Sequence, residues 1–266
     1  MTDIALVSYL NTRPFMDGFE ALVHDKEVRF HLLPPADCAH ALETGRCQMA
    51  LLPSGAIPGL PGIHLLPDYC IGANGKVDSV FIFSQRPLSE LDTLLLDPHS
   101  RSSNALAQIL LRHHWRKDLN LVVPDERPFD LIGGSIGAVA IGDKAIRMRP
   151  RFAFAYDLAA AWKEMTGLPF AFAVWAFQPG KVSPAVIEKL TRAMSYGVSH
   201  VRESAERWAA HFQLSVPFAR KYLSESIDYR FDAPKHRALH LYLQLIADQR
   251  PLSCTSILSA GGLQAL

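Results

Sequence analysis

Short apolar runs, each stopped by a turn or by a helix start, recur along this chain and limit its fold class. Residues 4–7, 28–33 and 49–52 are such runs. They are too short for buried helices, and each predicts a strand, with 4–7 covered on both faces rather than half-wet. Between the first two, Pro14 sits where a first-turn proline belongs, with Thr12 nearby as a candidate cap. Residues 36–44 then read as a helix stopped by Gly45. This β-α-β-α-β order predicts a mostly parallel sheet with right-handed crossovers.

Runs at 63–66, 70–73 and 77–84 read as further strands, with Asn74-Gly75 as a turn between the last two. A second series follows: strand 93–96, helix 102–115, strands 119–123 and 138–141, a helix capped by Asp157 and ended by Gly167 and Pro169, and an apolar strand at 170–177. From Ser183-Pro184 onward the chain is helical, with apolar residues recurring at Val186, Ile187, Leu190, Met194, Val198 and Val201. More helices follow around Trp208, around Tyr222 and over 232–246, and the tail after Pro251 reads as a loose end. The expected architecture is two α/β lobes, residues 87–177 inserted between 1–86 and 178–266, with crossings near 83–87 and 177–181. A cleft between lobes is a favoured site for a small ligand.

Composition excludes several function classes. The formal net charge of the 266 residues is +1, so no whole-chain field draws nucleic acid or an anionic membrane. No apolar stretch approaches the roughly 20 residues that span a bilayer, and Met1-Thr2-Asp3 runs straight into the first strand without a leader pattern. A cytoplasmic protein is expected, without membrane or nucleic-acid partners. Cys38, Cys47, Cys70 and Cys254 are scattered and read as buried free thiols. His113-His114 points to two helix faces and makes a poor metal site. The run Gly133-Gly134-Ser135-Ile136-Gly137 leads into a strand and reads as a turn, and no nucleotide, zinc or serine-hydrolase motif is present. No metal and no cofactor is expected, and the oligomeric state stays open.

Four segments carry chemistry-bearing residues: Ser8-Tyr9-Leu10-Asn11-Thr12-Arg13-Pro14-Phe15, Gly75-Lys76-Val77-Asp78-Ser79-Val80, Ser100-Arg101-Ser102-Ser103-Asn104, and Ile141-Gly142-Asp143 leading to Thr166-Gly167-Leu168-Pro169-Phe170. In kind and order they resemble the motifs of the chorismate dehydratases of menaquinone biosynthesis by the futalosine route. That resemblance implies a periplasmic-binding-protein-like fold of type II with the ligand in the interlobe cleft. It implies an enzyme, a hydro-lyase, that removes water from chorismate to give 3-[(1-carboxyvinyl)oxy]benzoate. Alternatives are the sibling that makes 1,4-dihydroxy-6-naphthoate, or a non-catalytic anion-binding protein of the same fold.

Each candidate residue also has a plainer reading. Ser102, Ser103 and Asn104 open a helix whose free amides suit a carboxylate; ordinary capping by Ser102 or Ser100 is the alternative. The resemblance places Ser79 in the cleft as a catalytic residue with Asn11; a strand serine and a turn asparagine are the ordinary alternatives. Arg13 suits a bidentate carboxylate contact or a solvated surface equally. Ser8, Tyr9, Ser54 and Gly142 stand at strand ends, where ligands of such sheets bind. Asp143 reads as a ligand contact or a helix cap, and Trp175 as a cleft wall or core. With no strong base in the motifs, the substrate's own side-chain carboxylate is the candidate base.

Overall fold

The structure, a computed structural model, describes residues 1–24, 28–124 and 128–248. The tail after Pro251, and Cys254 within it, lie outside the described residues. β1 (Thr2–Val7), α1 (Arg13–Leu22), β2 (Val28–Leu33), α2 (Pro35–Glu43) and β3 (Met49–Pro53) form the expected opening run, with β2, β1 and β3 side by side in parallel. The chain continues through β4 (His64–Ala73), β5 (Val80–Ser84), β6 (Thr93–Leu95), α3 (Arg101–Leu110), β7 (Asn120–Val122), β8 (Ile136–Ile141), α4 (Gly142–Met148), β9 (Phe154–Asp157) and α5 (Leu158–Thr166). It closes with β10 (Phe170–Phe177), α6 (Pro184–Ser199), α7 (Val201–Trp208), α8 (Val216–Lys221), β11 (Asp228–Arg230) and α9 (Ala233–Ala247).

Two mixed sheets result. The six-stranded one has the order β11-β4-β10-β3-β1-β2 and the five-stranded one β7-β6-β8-β5-β9. β10 is apolar throughout, as a strand covered on both faces must be, and runs antiparallel between β3 and β4. The runs at 63–66 and 70–73 are a single strand, β4, whose register against β10 slips where Pro67 has no N–H to give.

The crossings differ from the expectation. Asn74-Gly75 closes no hairpin, because β4 and β5 lie in different sheets. Residues 74–79 carry the chain across, turned by Gly75 at φ +122° and Asp78 at φ +57°, and α5 with the turn after it brings the chain back. Thus β5 pairs with β8 and β9, while β10 belongs with β3 and β4, and residues 83–87 and 177–181 follow strands inside one sheet each. An apolar run marks a strand but says nothing about its neighbours.

One continuous core links both sheets, with Leu6, Leu51 and Trp175 from the first and Ile82, Leu94 and Val139 from the second. α1 is pressed on α6 at two glycines. A Cβ on Gly197 would stand 1.8 Å from the Pro14 carbonyl oxygen, and one on Gly18 2.0 Å from that of Ala193. Cys38, Cys47 and Cys70 are buried free thiols. The glycine run is a turn, with Gly134 at φ +52°.

Candidate active site

The carboxyl ends of β1, β3 and β8 point into one cleft between the sheets, of about 570 Å³ with the open solvent at its mouth included. Val7, Tyr9, Asn11 and Thr12 come from the first strand and its loop, Ser79 from the crossing, and Ser100, Ser102 and Ser103 from the start of α3. Gly142, Phe172 and further apolar residues complete the walls, and among the described residues no lysine, arginine, histidine, aspartate or glutamate lines the cleft. Its polar character comes from hydroxyls, one amide side chain and backbone.

Asn11 is braced from far along the chain. Its amide nitrogen Nδ2 donates to the Tyr222 hydroxyl at 3.2 Å. Burial holds the Tyr222 phenol well above its ordinary pKa. The Asn11 carbonyl accepts from the Tyr229 hydroxyl at 3.0 Å, and Thr12 Oγ1 reaches the carbonyls of Val7 and Tyr9 at 2.5 and 2.8 Å. The loop after β1 is therefore braced on every side. Ser79 is positioned through Asp157, which caps α5 through Ala159 and Ala160 and also accepts from the Val77 and Asp78 amides at 3.0 and 2.8 Å. Burial pushes the Asp157 carboxyl up to about 6 against the pull of those amides.

The start of α3 faces the cleft. Ser100 caps it, its Oγ accepting from the Ser103 amide at 3.3 Å, and the amides of Arg101 and Ser102 precede the first helical hydrogen bond. That end, with its partial positive charge, suits a carboxylate. Ser102 spends its hydroxyl on the fold: it donates to the Phe172 carbonyl at 3.0 Å and accepts from Gly55 N at 3.0 Å and Ser54 Oγ at 3.3 Å. Its carbonyl accepts from the Tyr242 hydroxyl at 2.9 Å. Ser103 alone of the pair has a hydroxyl that no protein group takes among the described residues.

Across the cleft mouth, Tyr9 lies flat against Gly142, where a Cβ would come within 3.0 Å of the ring. Gly142 also takes φ +66°, a conformation glycine adopts without penalty. Asp143, 5% exposed, neither lines the cleft nor caps α4; both its oxygens lie 3.2 Å from the Leu10 amide. Burial raises its carboxyl to about 6, opposed by the Leu10 amide, Arg147 and Arg13.

Five more candidates stand away from the ligand space. The Ser8 amide extends the β1–β2 ladder to Leu33 at 3.3 Å. The Arg13 guanidinium is buried over the Trp208 ring, 4.3 Å from its centroid, because the first turn of α1 faces α7 rather than the cleft. Ser54 supports Ser102. Asn104 clasps the backbone of Asp97 with both amide atoms at 2.9 and 2.7 Å. Trp175 is wholly buried, edge-on to Phe15 and Phe19, as an aromatic in a central strand usually is. Tyr222, Tyr229 and Tyr242 carry no local signal in the sequence, where isolated aromatics in helices and strands look like core.

The fold recurs in solved structures. A protein from Archaeoglobus fulgidus superposes with a TM-score of 0.70 at 15% identity, covering 92% of this chain and 96% of that one. A Candida albicans gene product described as having the generic periplasmic binding protein fold gives 0.68 at 13% identity, with 93% and 90% covered. The alkanesulfonate-binding protein of Xanthomonas axonopodis gives 0.66 at 9% identity, with 92% of each covered. The fold is thus periplasmic-binding-protein-like. By sequence, a chorismate dehydratase of Thermus thermophilus is 26% identical over 273 residues, 91% of this chain and 94% of that protein. One of Campylobacter jejuni is 27% identical over 179 residues, 66% of each. The family described as menaquinone biosynthesis matches residues 2–248, nearly every described residue of the two lobes, and the chain belongs to it.

Proposed function

We propose that this chain is a cytoplasmic chorismate dehydratase, a hydro-lyase that eliminates water from chorismate to give 3-[(1-carboxyvinyl)oxy]benzoate for menaquinone biosynthesis. The observation that carries the reading is a cleft with no charged side chain on its walls among the described residues, in which a helix start, the Ser103 hydroxyl, Asn11 and Ser79 converge. Two curated relatives bear that name.

Chorismate brings two carboxylates and a ring hydroxyl, and losing that hydroxyl with the proton on the neighbouring ring carbon makes the ring aromatic. The protein's task is orientation and electrostatic support, not strong base chemistry. The start of α3 receives one carboxylate on its amides and Ser103. Asn11 and Ser79 hold the side-chain carboxylate and the reacting edge of the ring. In this pose the substrate's own carboxylate takes the ring proton, the C–O bond to the hydroxyl breaks, and the proton leaves with hydroxide as water. The protein then ends each turnover unchanged in charge.

The test is direct. Purified protein incubated with chorismate is expected to convert it to the aromatic enol ether, followed by chromatography and ultraviolet absorbance. Tight binding of chorismate without conversion would overturn the reading in favour of a binding protein.

A further inference from the structure

The two side chains assigned to the reacting edge of the ring come from different parts of the fold. Asn11 stands in the loop after β1 of the first sheet, and Ser79 immediately precedes β5 of the second. Their separation across the cleft depends on what joins those two segments.

Gly142 and Asp143, at the start of α4, join them. The Gly142 N–H donates to the Ser79 carbonyl at 2.8 Å, one residue beyond the Val80–Ile141 pair of β5 and β8. The next residue reaches the other segment: both Asp143 oxygens lie 3.2 Å from the Leu10 N–H, one residue before Asn11. Two consecutive residues therefore hold the backbone on either side of the reacting edge. Gly142 has no room to shift, since it takes φ +66° and lies against the Tyr9 ring. The last turn of α4 is tied as well, Arg147 Nη1 donating to the Phe212 carbonyl at 3.1 Å. A buried carboxylate is costly unless its hydrogen bonds compensate. This one lines no part of the ligand space, and the Leu10 N–H is what it receives.

We propose that Asp143 is a positioning residue: with Gly142 it makes a two-residue spacer that sets the distance between Asn11 and Ser79. The inference deepens the dehydratase reading and rests on it. Asp143 touches no substrate and acts through the Leu10 peptide on the side chain that follows.

The experiment measures kcat and KM for chorismate in variants of the full chain. Asp143→Ala removes the acceptor and is expected to lower kcat roughly 10- to 100-fold, as a displacement of about 1 Å does, with KM changed less than about 3-fold. Asp143→Asn keeps an acceptor on an arm of the same length and is expected to restore kcat to within about 5-fold of wild type. In an Asn11→Ala background, Asp143→Ala is expected to cost less than about 3-fold, because the side chain it places is gone. Should Asp143→Ala fail to fold, Asp143→Glu carries the test: it keeps charge and acceptor but lengthens the arm by one methylene, and the same loss of kcat is expected. Wild-type kcat in Asp143→Ala or Asp143→Glu, a loss in Asp143→Asn as large as in Asp143→Ala, or an undiminished cost beside Asn11→Ala overturns the positioning role while the dehydratase reading stands. A wild-type protein that does not convert chorismate overturns both.

Discussion

At the scale of single residues, Asp143 and Ser79 show two uses of burial. The native carboxyl of Asp143 is raised to about 6, whereas an unfolded aspartate lies near 4. The folded state therefore binds the proton more tightly, and stability is lost as pH rises from about 4 through about 6, by roughly 3 kcal/mol at most. Asp143→Asn keeps an acceptor for the Leu10 amide and removes this loss. It is expected to outlast wild type in urea at pH 8 but not at pH 4; an equal difference at both pH values would contradict the burial argument. For Ser79, substitution by alanine is expected to lower kcat about 100- to 1,000-fold, the usual effect of deleting one donor from such a site, while saturation kinetics show KM little changed. Residues of this kind were partly legible. Asn11, Ser79 and Ser103 sit in motifs next to strand or helix ends, where local chain order already places them near a ligand. Arg13 and Trp175 lie in or beside the same motifs, yet their side chains leave toward α7 and the core, a direction that only the packing of distant helices decides. Tyr222 carries no local mark at all.

At the scale of elements, α3 is held by its first turn. Ser102 binds Phe172, Gly55 and Ser54 through its hydroxyl and Tyr242 through its carbonyl, so the end of a second-sheet helix is fastened to the first sheet. A Cβ on Gly55 would sit 2.9 Å from Ser102 Cα, and Gly55→Ala must push that turn aside. The expected result is a KM for chorismate raised about 10-fold with kcat affected less, since the helix start is assigned to ground-state carboxylate binding. The α1–α6 crossing is tighter still. Gly197→Ala places a methyl against the Pro14 carbonyl, and overpacking backbone against backbone is expected to cost about 3 kcal/mol, read as a lowered urea midpoint. The elements themselves were legible because apolar runs, Pro14, Ser183-Pro184 and Asp157 act within a few residues. The sheet that β5 or β10 would join was not, because pairing with β8 or β3 depends on partners many residues away.

At the scale of the molecule, the two lobes share one continuous core and are tied across the cleft by Leu10 to Asp143 and behind it by Ser102 to Phe172. They are expected to unfold together. Trp115, edge-on to Tyr156 of β9, reports on the second-sheet side and the buried Trp175 on the first, so their fluorescence and the far-ultraviolet dichroism should follow a single urea transition. Two separated transitions would show that the lobes are energetically independent. The contribution of Tyr222, Tyr229 and Tyr242 to the cleft has one more consequence. A ribosome reads their codons only after it has made every strand that supplies the other cleft residues. A nascent chain halted before them holds all the groups assigned to touch chorismate but none of the three phenols that aim them, so competence for turnover is the last property this polypeptide acquires during its synthesis.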